Sequence, residues 1–138
     1  MFRFNTLKKS VVKRKTKKEI ENNTKYLAHK EEARKLVTEN LELYKKFYAS
    51  NGYELNYNRV AIRDQKSRWG SCSSKANLNF NYRLALIPIH LAEYIVVHEL
   101  CHLKEMNHAR SFWTLVSIAM PNYAELKEEL RVINLRKL

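Results

Sequence analysis

Between His29 and Ala49 the apolar residues Ala33, Leu36, Val37, Leu41, Tyr44, Phe47 and Tyr48 recur every three or four positions. That spacing places them on one stripe of a helix that faces a core. Ser50-Asn51-Gly52 supplies the stop, glycine being the residue best suited to close a helix. The period then changes to two. Val60 and Ile62 alternate with Arg59, Ala61 and Arg63 inside a strand over 56–65, and Arg68 to Ser74 forms a short second strand. After a turn at Lys75-Ala76-Asn77, Leu78, Phe80, Tyr82 and Leu84 alternate with Asn77, Asn79, Asn81 and Arg83 as a third strand. Pro88 bars an earlier helix start, so the next helix runs from His90 or Leu91 to Met106. A helix over Ala109 to Ala119 carries Phe112, Leu115, Val116 and Ala119 on one stripe with Trp113 beside it. Pro121 prevents its continuation, Asn122 and Glu125 resemble a capping box, and Tyr123, Leu126, Leu130 and Ile133 form the face of a last helix. The order predicts an α+β domain: an N-terminal helix, a small antiparallel sheet, an apolar central helix and two C-terminal helices.

Length and composition narrow the class. A chain of 138 residues with 45% hydrophobic residues fits one globular domain. No apolar run approaches the roughly 20 residues of a membrane span, and the N-terminus lacks the apolar core of a secretion signal. A cytoplasmic monomer without membrane contact is expected. Cys72 and Cys101 are the only cysteines and are expected to be reduced thiols; Cys101 falls on the packed side of its helix. The net charge of +12 is uneven, because residues 1–30 hold ten Lys or Arg against two Glu. Residues 1–28, with Phe2, Phe4, Leu7, Val11 and Val12 scattered among the cations, read as a basic, loosely ordered arm ahead of a folded domain at 29–138. Such an arm is either a solvated tail or a salt-dependent contact to nucleic acid without sequence preference.

The candidate chemistry lies in the central helix, in Val97-His98-Glu99-Leu100-Cys101-His102 and the following Met106-Asn107-His108. His98 and His102 lie one turn apart and about 40° apart around the axis, so both imidazoles can reach one metal. Glu99 projects from the adjacent strip, where a carboxylate can act as general base on a metal-bound water. On a straight continuation His108 would lie roughly 15 Å from His98. The helix must therefore end between them, and Asn107, tolerant of the left-handed region, is the expected stop. Burying these groups on an apolar helix without polar partners would cost on the order of 1–3 kcal/mol each. One Zn2+ per chain on His98, His102 and His108 follows. Because closed structural sites use four protein ligands, three favour an open, catalytic metal; Cys72 is the one candidate for a fourth.

Arg68-Trp69-Gly70-Ser71-Cys72-Ser73-Ser74-Lys75, then Asn77-Leu78-Asn79-Phe80-Asn81, then Val96 to His108, resemble the YgjP-like zinc metallopeptidases, relatives of the SprT-like group. The resemblance runs from about Tyr26 to the C-terminus. It implies a minimal zincin-like domain, with metal ligands at His98, His102 and His108, catalytic Glu99, and a protein or peptide substrate. Two departures stand out: Ala76 occupies a position where the family usually has glycine, at a turn that requires positive φ, and the N-terminal sheet of longer members is curtailed. Arg68, Tyr82 and His90 are candidate oxyanion donors, and the strand Leu78 to Arg83 is the candidate surface for pairing with substrate backbone. The alternatives are a SprT-like role on DNA-bound proteins and a zinc-binding module without peptidase activity.

Overall fold

The computed structural model describes residues 12–138. Helix α1 (Lys17–Ser50) is followed by strands β1 (Arg59–Arg63), β2 (Gly70–Cys72) and β3 (Asn77–Asn81), a 3₁₀ turn (Tyr82–Leu86), and helices α2 (Ile89–Cys101), α3 (Arg110–Ala119) and α4 (Tyr123–Arg131). This is the α+β order that the periodicity predicts. Among the described residues no helix is long and apolar enough to cross a membrane.

Helix α1 begins at Lys17 rather than His29, which corrects the expected arm boundary. The cause is a capping box: the Thr16 side chain accepts from the Glu19 N–H at 3.2 Å, and the Glu19 carboxylate accepts from the Thr16 N–H at 2.6 Å. Of the expected arm, residues 12–16 belong to no helix or strand, and residues 1–11 lie outside the described residues. Ala33, Val37, Leu41 and Tyr48 are fully buried, whereas Phe47 is 37% exposed despite its place in the apolar stripe. Each large aliphatic side chain buried along such a face contributes about 1.5–3 kcal/mol. Tyr48 also joins three helices, donating to the Leu115 carbonyl at 2.7 Å and accepting from the Cys101 thiol at 3.3 Å.

The sheet is mixed rather than antiparallel. Its order is β1-β3-β2, with β3 antiparallel to β2 and parallel to β1. Direction reverses at each step along the chain, but β2 goes to the far edge and β3 inserts between, so β3 runs with β1. Alternation specifies which face a residue occupies, not which strand becomes its neighbour. The β2–β3 connection closes through the Ala76 N–H to the Ser73 carbonyl and the Ser73 N–H to the Asn77 carbonyl, both at 3.0 Å. Ala76 takes φ 61°, the conformation that glycine usually supplies after a type I turn.

The third strand stops at Asn81, before the alternation ends. There Tyr82, Arg83 and Leu84 are all buried, and the 3₁₀ turn brings the Arg83 guanidinium to Asp64 at 2.8 Å. The Asn81 amide donates to the carbonyls of Gln65 at 2.7 Å and Arg68 at 2.9 Å. These contacts fix the connection that delivers β2 to the face of α2. Helix α4 starts after Asn122 as expected, but without a side-chain cap bond, so the capping box predicted there is absent.

Candidate metal centre

Helix α2 ends at Cys101, five residues before Met106, and His102 is its C-cap. The chain then turns through bonds from the Leu103 N–H to the Leu100 carbonyl and from the Lys104 and Glu105 N–H groups to the Cys101 carbonyl, each 3.1 Å. Among the described non-glycine residues only Ala76 has positive φ, so Asn107 is not the left-handed stop. A right-handed turn at 102–105 reverses the chain instead, and it is held by the His102 ring on the Glu105 carbonyl at 2.8 Å.

The turn brings the three predicted histidines together. Their Nε2 atoms are separated by 3.1 Å (His98 to His102), 3.0 Å (His102 to His108) and 3.1 Å (His98 to His108). Those spacings also fall in hydrogen-bonding range, and the tautomer of His102 decides what its Nε2 can offer. A carbonyl can only accept, so His102 Nδ1 carries the hydrogen and its Nε2 presents a lone pair. Three imidazole nitrogens this close to one another are a donor set that one cation could bridge. Zinc–nitrogen bonds of about 2.0–2.1 Å in a tetrahedral site require nitrogens roughly 3.3 Å apart, within a few tenths of what is found. The residues therefore fit a divalent metal.

Phe112 forms the floor, stacked on His102 at 4.4 Å between centroids and edge-on to His98 at 4.9 Å. Trp113 stacks on His108 at 6.0 Å. In these surroundings the His98 pKa falls to about 3, through burial first and then through His102, His108 and Lys127. His102 is also lowered, chiefly by burial. Both rings are thus held neutral, the form that binds metal.

Glu99 is 7% exposed, and burial raises its carboxyl to about 7 against the opposing charge of Arg68. It borders the same cleft as the histidines, a space of about 640 Å³ between β2, α2 and α4. Strand β2 comes very close: a Cβ at Gly70 would meet the Asn79 carbonyl and Glu99 Cγ, both at 3.0 Å.

The other predicted residues divide. Arg68 and Cys72 line the cleft. Cys72 is outside the metal-capable group, which among the described residues comprises His98, His102 and His108; burial and then Glu99 push its thiol up to about 11. Tyr82 is buried against Tyr26 and Arg83, and His90 meets Glu129 at 2.8 Å on the surface; neither reaches the cleft. Nor can β3 receive a substrate, since it is paired on both sides. The edge beside the cleft is β2, where Trp69 and Ser73 bond towards β3, so antiparallel alternation turns the N–H and C=O of Gly70 and Cys72 outward.

Tyr94, Trp113 and Lys127 also line the cleft. Tyr94 lies one turn before His98, so extending the histidine stripe backwards would have found it. Trp113 sits beside the apolar stripe of α3, a position that points to packing rather than to the cleft wall it also forms. Lys127 gives no local signal, because the docking of α4 on α2 sets its position.

An apolar helix bearing His-Glu-x-x-His, a third histidine returned by a turn and a short edge strand across the cleft are together the framework of a metallopeptidase domain. The chain belongs to the YgjP-like family, matching the YgjP-like metallopeptidase domain over residues 3–132. Its structure resembles the crystal structure of the metallopeptidase zymogen abylysin from Pyrococcus abyssi, with TM-score 0.59 and 27% identity over 68% of this chain and 90% of that one. No curated protein sequence matches the chain. Membership places it among metallopeptidases, a class of hydrolases that requires a metal, and His98, His102 and His108 are the described residues able to hold one.

Proposed function

We propose that the chain is a zinc-dependent peptide hydrolase in which His98, His102 and His108 hold one Zn2+ and Glu99 is the general base. The observation that carries this reading is the convergence of three Nε2 atoms within 3.1 Å beside a buried carboxylate. Zinc, when bound, supplies Lewis acidity, lowering the pKa of water and polarising a carbonyl.

The remaining work falls to the chain. Glu99 accepts the proton of the attacking water and delivers it to the leaving amine, a role that suits a buried carboxylate bordering the same cleft as the histidines. The outward backbone groups of Gly70 and Cys72 hold an extended peptide by strand pairing, which sets its scissile carbonyl across from Glu99. Phe112 and Trp113 keep the imidazoles from rotating. Arg68, on the Glu99 side of the cleft, is the remaining oxyanion candidate from the sequence.

The test is hydrolysis of quenched fluorescent peptides by the zinc-loaded chain, with Glu99→Gln and chelated protein alongside. Turnover lost in both, with zinc retained by Glu99→Gln, is expected. Equal turnover by Glu99→Gln, or none by the zinc-loaded wild type on any peptide, refutes the reading.

A further inference from the structure

Two cations face the cleft, and the proposed chemistry gives Lys127 no role and Arg68 at most that of an oxyanion donor. Arg68 approaches from the β2 side and Lys127 from α4, and Glu99 is the one carboxylate among the lining residues. Among the described residues neither cation forms an ion pair. For Lys127 the sequence explains why: three and four positions away on α4 stand Tyr123, Ala124, Leu130 and Arg131, none of them acidic. Arg131, by contrast, meets Glu128 at 2.6 Å.

Both are anchored. The Lys127 ammonium lies 4.8 Å from the centroid of Trp113, and that indole stacks with Tyr123 at 5.0 Å and with His108 at 6.0 Å. A cation over an indole face is attracted to it, so Lys127 rests on the wall beside the histidines, close enough for its charge to act on His98. Arg68 is fixed through its backbone by the buried Asn81 amide, and its charge acts on Glu99. Two positive groups thus flank the histidines, and no acidic side chain of the cleft beyond Glu99 answers them.

We propose that Arg68 and Lys127 are specificity-determining residues that select peptides with a carboxylate close to the scissile bond, from either an acidic side chain or the terminal carboxyl group. This rests on the peptidase reading and names its substrate class. An ion pair with such an exposed cation favours the charged peptide by up to roughly fivefold for each cation.

The experiment uses the full chain, zinc-loaded and carrying Glu99→Gln so that peptides are bound without being consumed. Four eight-residue peptides are compared by calorimetry at low ionic strength, with Glu or Gln at the central positions and the C-terminus free or amidated. We expect the most acidic peptide to bind roughly tenfold more tightly than its neutral counterpart. That preference should shrink with Lys127→Gln or Arg68→Gln and tip towards a Lys-containing peptide with Lys127→Glu. Dependence on amidation alone assigns recognition to the terminal carboxylate, and dependence on Glu alone to side chains. Equal affinity for all four peptides overturns the proposal, as does a preference that survives Arg68→Gln and Lys127→Gln combined. A single-stranded oligonucleotide that outcompetes the acidic peptide, and loses affinity in those variants, overturns it in favour of phosphate. Failure of the peptidase reading looks different: wild type that binds acidic peptides and cleaves none. Wild type that cleaves Glu and Gln peptides equally well leaves the peptidase and removes this proposal.

Discussion

Replacing Gly70 with alanine isolates the contact between β2 and Glu99. The added Cβ would stand 3.0 Å from the Asn79 carbonyl oxygen, 3.0 Å from Glu99 Cγ and 3.4 Å from its Cδ. Asn79 lies in β3, which is paired on both sides, so its carbonyl has little room to retreat and the Glu99 side chain must give way. Restoring ordinary contacts of about 3.5–4.0 Å moves the carboxyl by roughly half to one ångström. Overpacking of this kind costs about 1–3 kcal/mol, and a general base displaced by about 1 Å loses up to about 100-fold in rate. The three atoms nearest the new methyl belong to Asn79 and Glu99 and none to a histidine ring, so zinc content should stay at one equivalent. Peptide hydrolysis, elemental analysis and thermal melting on the same preparations separate these effects. Gly52→Ala is the control, since Gly52 has φ +85° and an added methyl there would find nothing within 4 Å: it should lower the melting temperature through backbone strain and leave kcat/KM alone. Native kcat/KM in Gly70→Ala would refute the reasoning, and loss of zinc in parallel with activity would reassign the effect to unfolding.

Glu99→Gln should keep zinc and fold while reducing turnover at least about 100-fold, read by peptide hydrolysis beside elemental analysis. His108→Ala should abolish stoichiometric zinc binding, and chelation of the wild type should lower its melting temperature, since a ligand bound only to the folded state stabilises it; unchanged zinc content in His108→Ala would exclude it as a ligand. The metal-free chain should lose stability in acid. The His98 value of about 3 lies below its ordinary 6.5, so its contribution is complete above about pH 6.5 and falls away towards pH 3, amounting to roughly 2 kcal/mol already lost by pH 5; urea unfolding of metal-free protein at pH 7 and pH 5 measures it. Ala76→Gly should change stability by no more than about 1 kcal/mol, because relief of the left-handed alanine is offset by the greater freedom of glycine in the unfolded chain; a larger shift in the urea midpoint would mean that φ 61° is not the governing feature there.

Local pattern makes much of this molecule legible. The spacing of His98 and His102 fixes their shared face, period-two alternation locates the strands, and the need to return His108 requires a helix end before it. What cannot be read depends on contacts between distant segments. Alternation does not report that β3 inserts between β1 and β2, which is why it suggests an antiparallel sheet with β3 free to pair with substrate. Nor does it report that Arg83 leaves the strand to meet Asp64, since that pairing belongs to the connection before β2. Lys127 reaches the cleft only because α4 docks on α2. The capping box at Thr16 and Glu19 is legible, but the surrounding charge makes the start of α1 look like part of a tail.

The three imidazoles come from one stretch of eleven residues, His98 to His108, whereas the cleft also needs β2 and α4. Loop-closure entropy grows only with the logarithm of loop length and is small for so short a span, so gathering the rings requires little beyond one helix and its turn. If these histidines hold a metal as proposed, all of its ligands are therefore in the chain before α4 has been made, and what α3 adds afterwards is Phe112 and Trp113 packed against the rings.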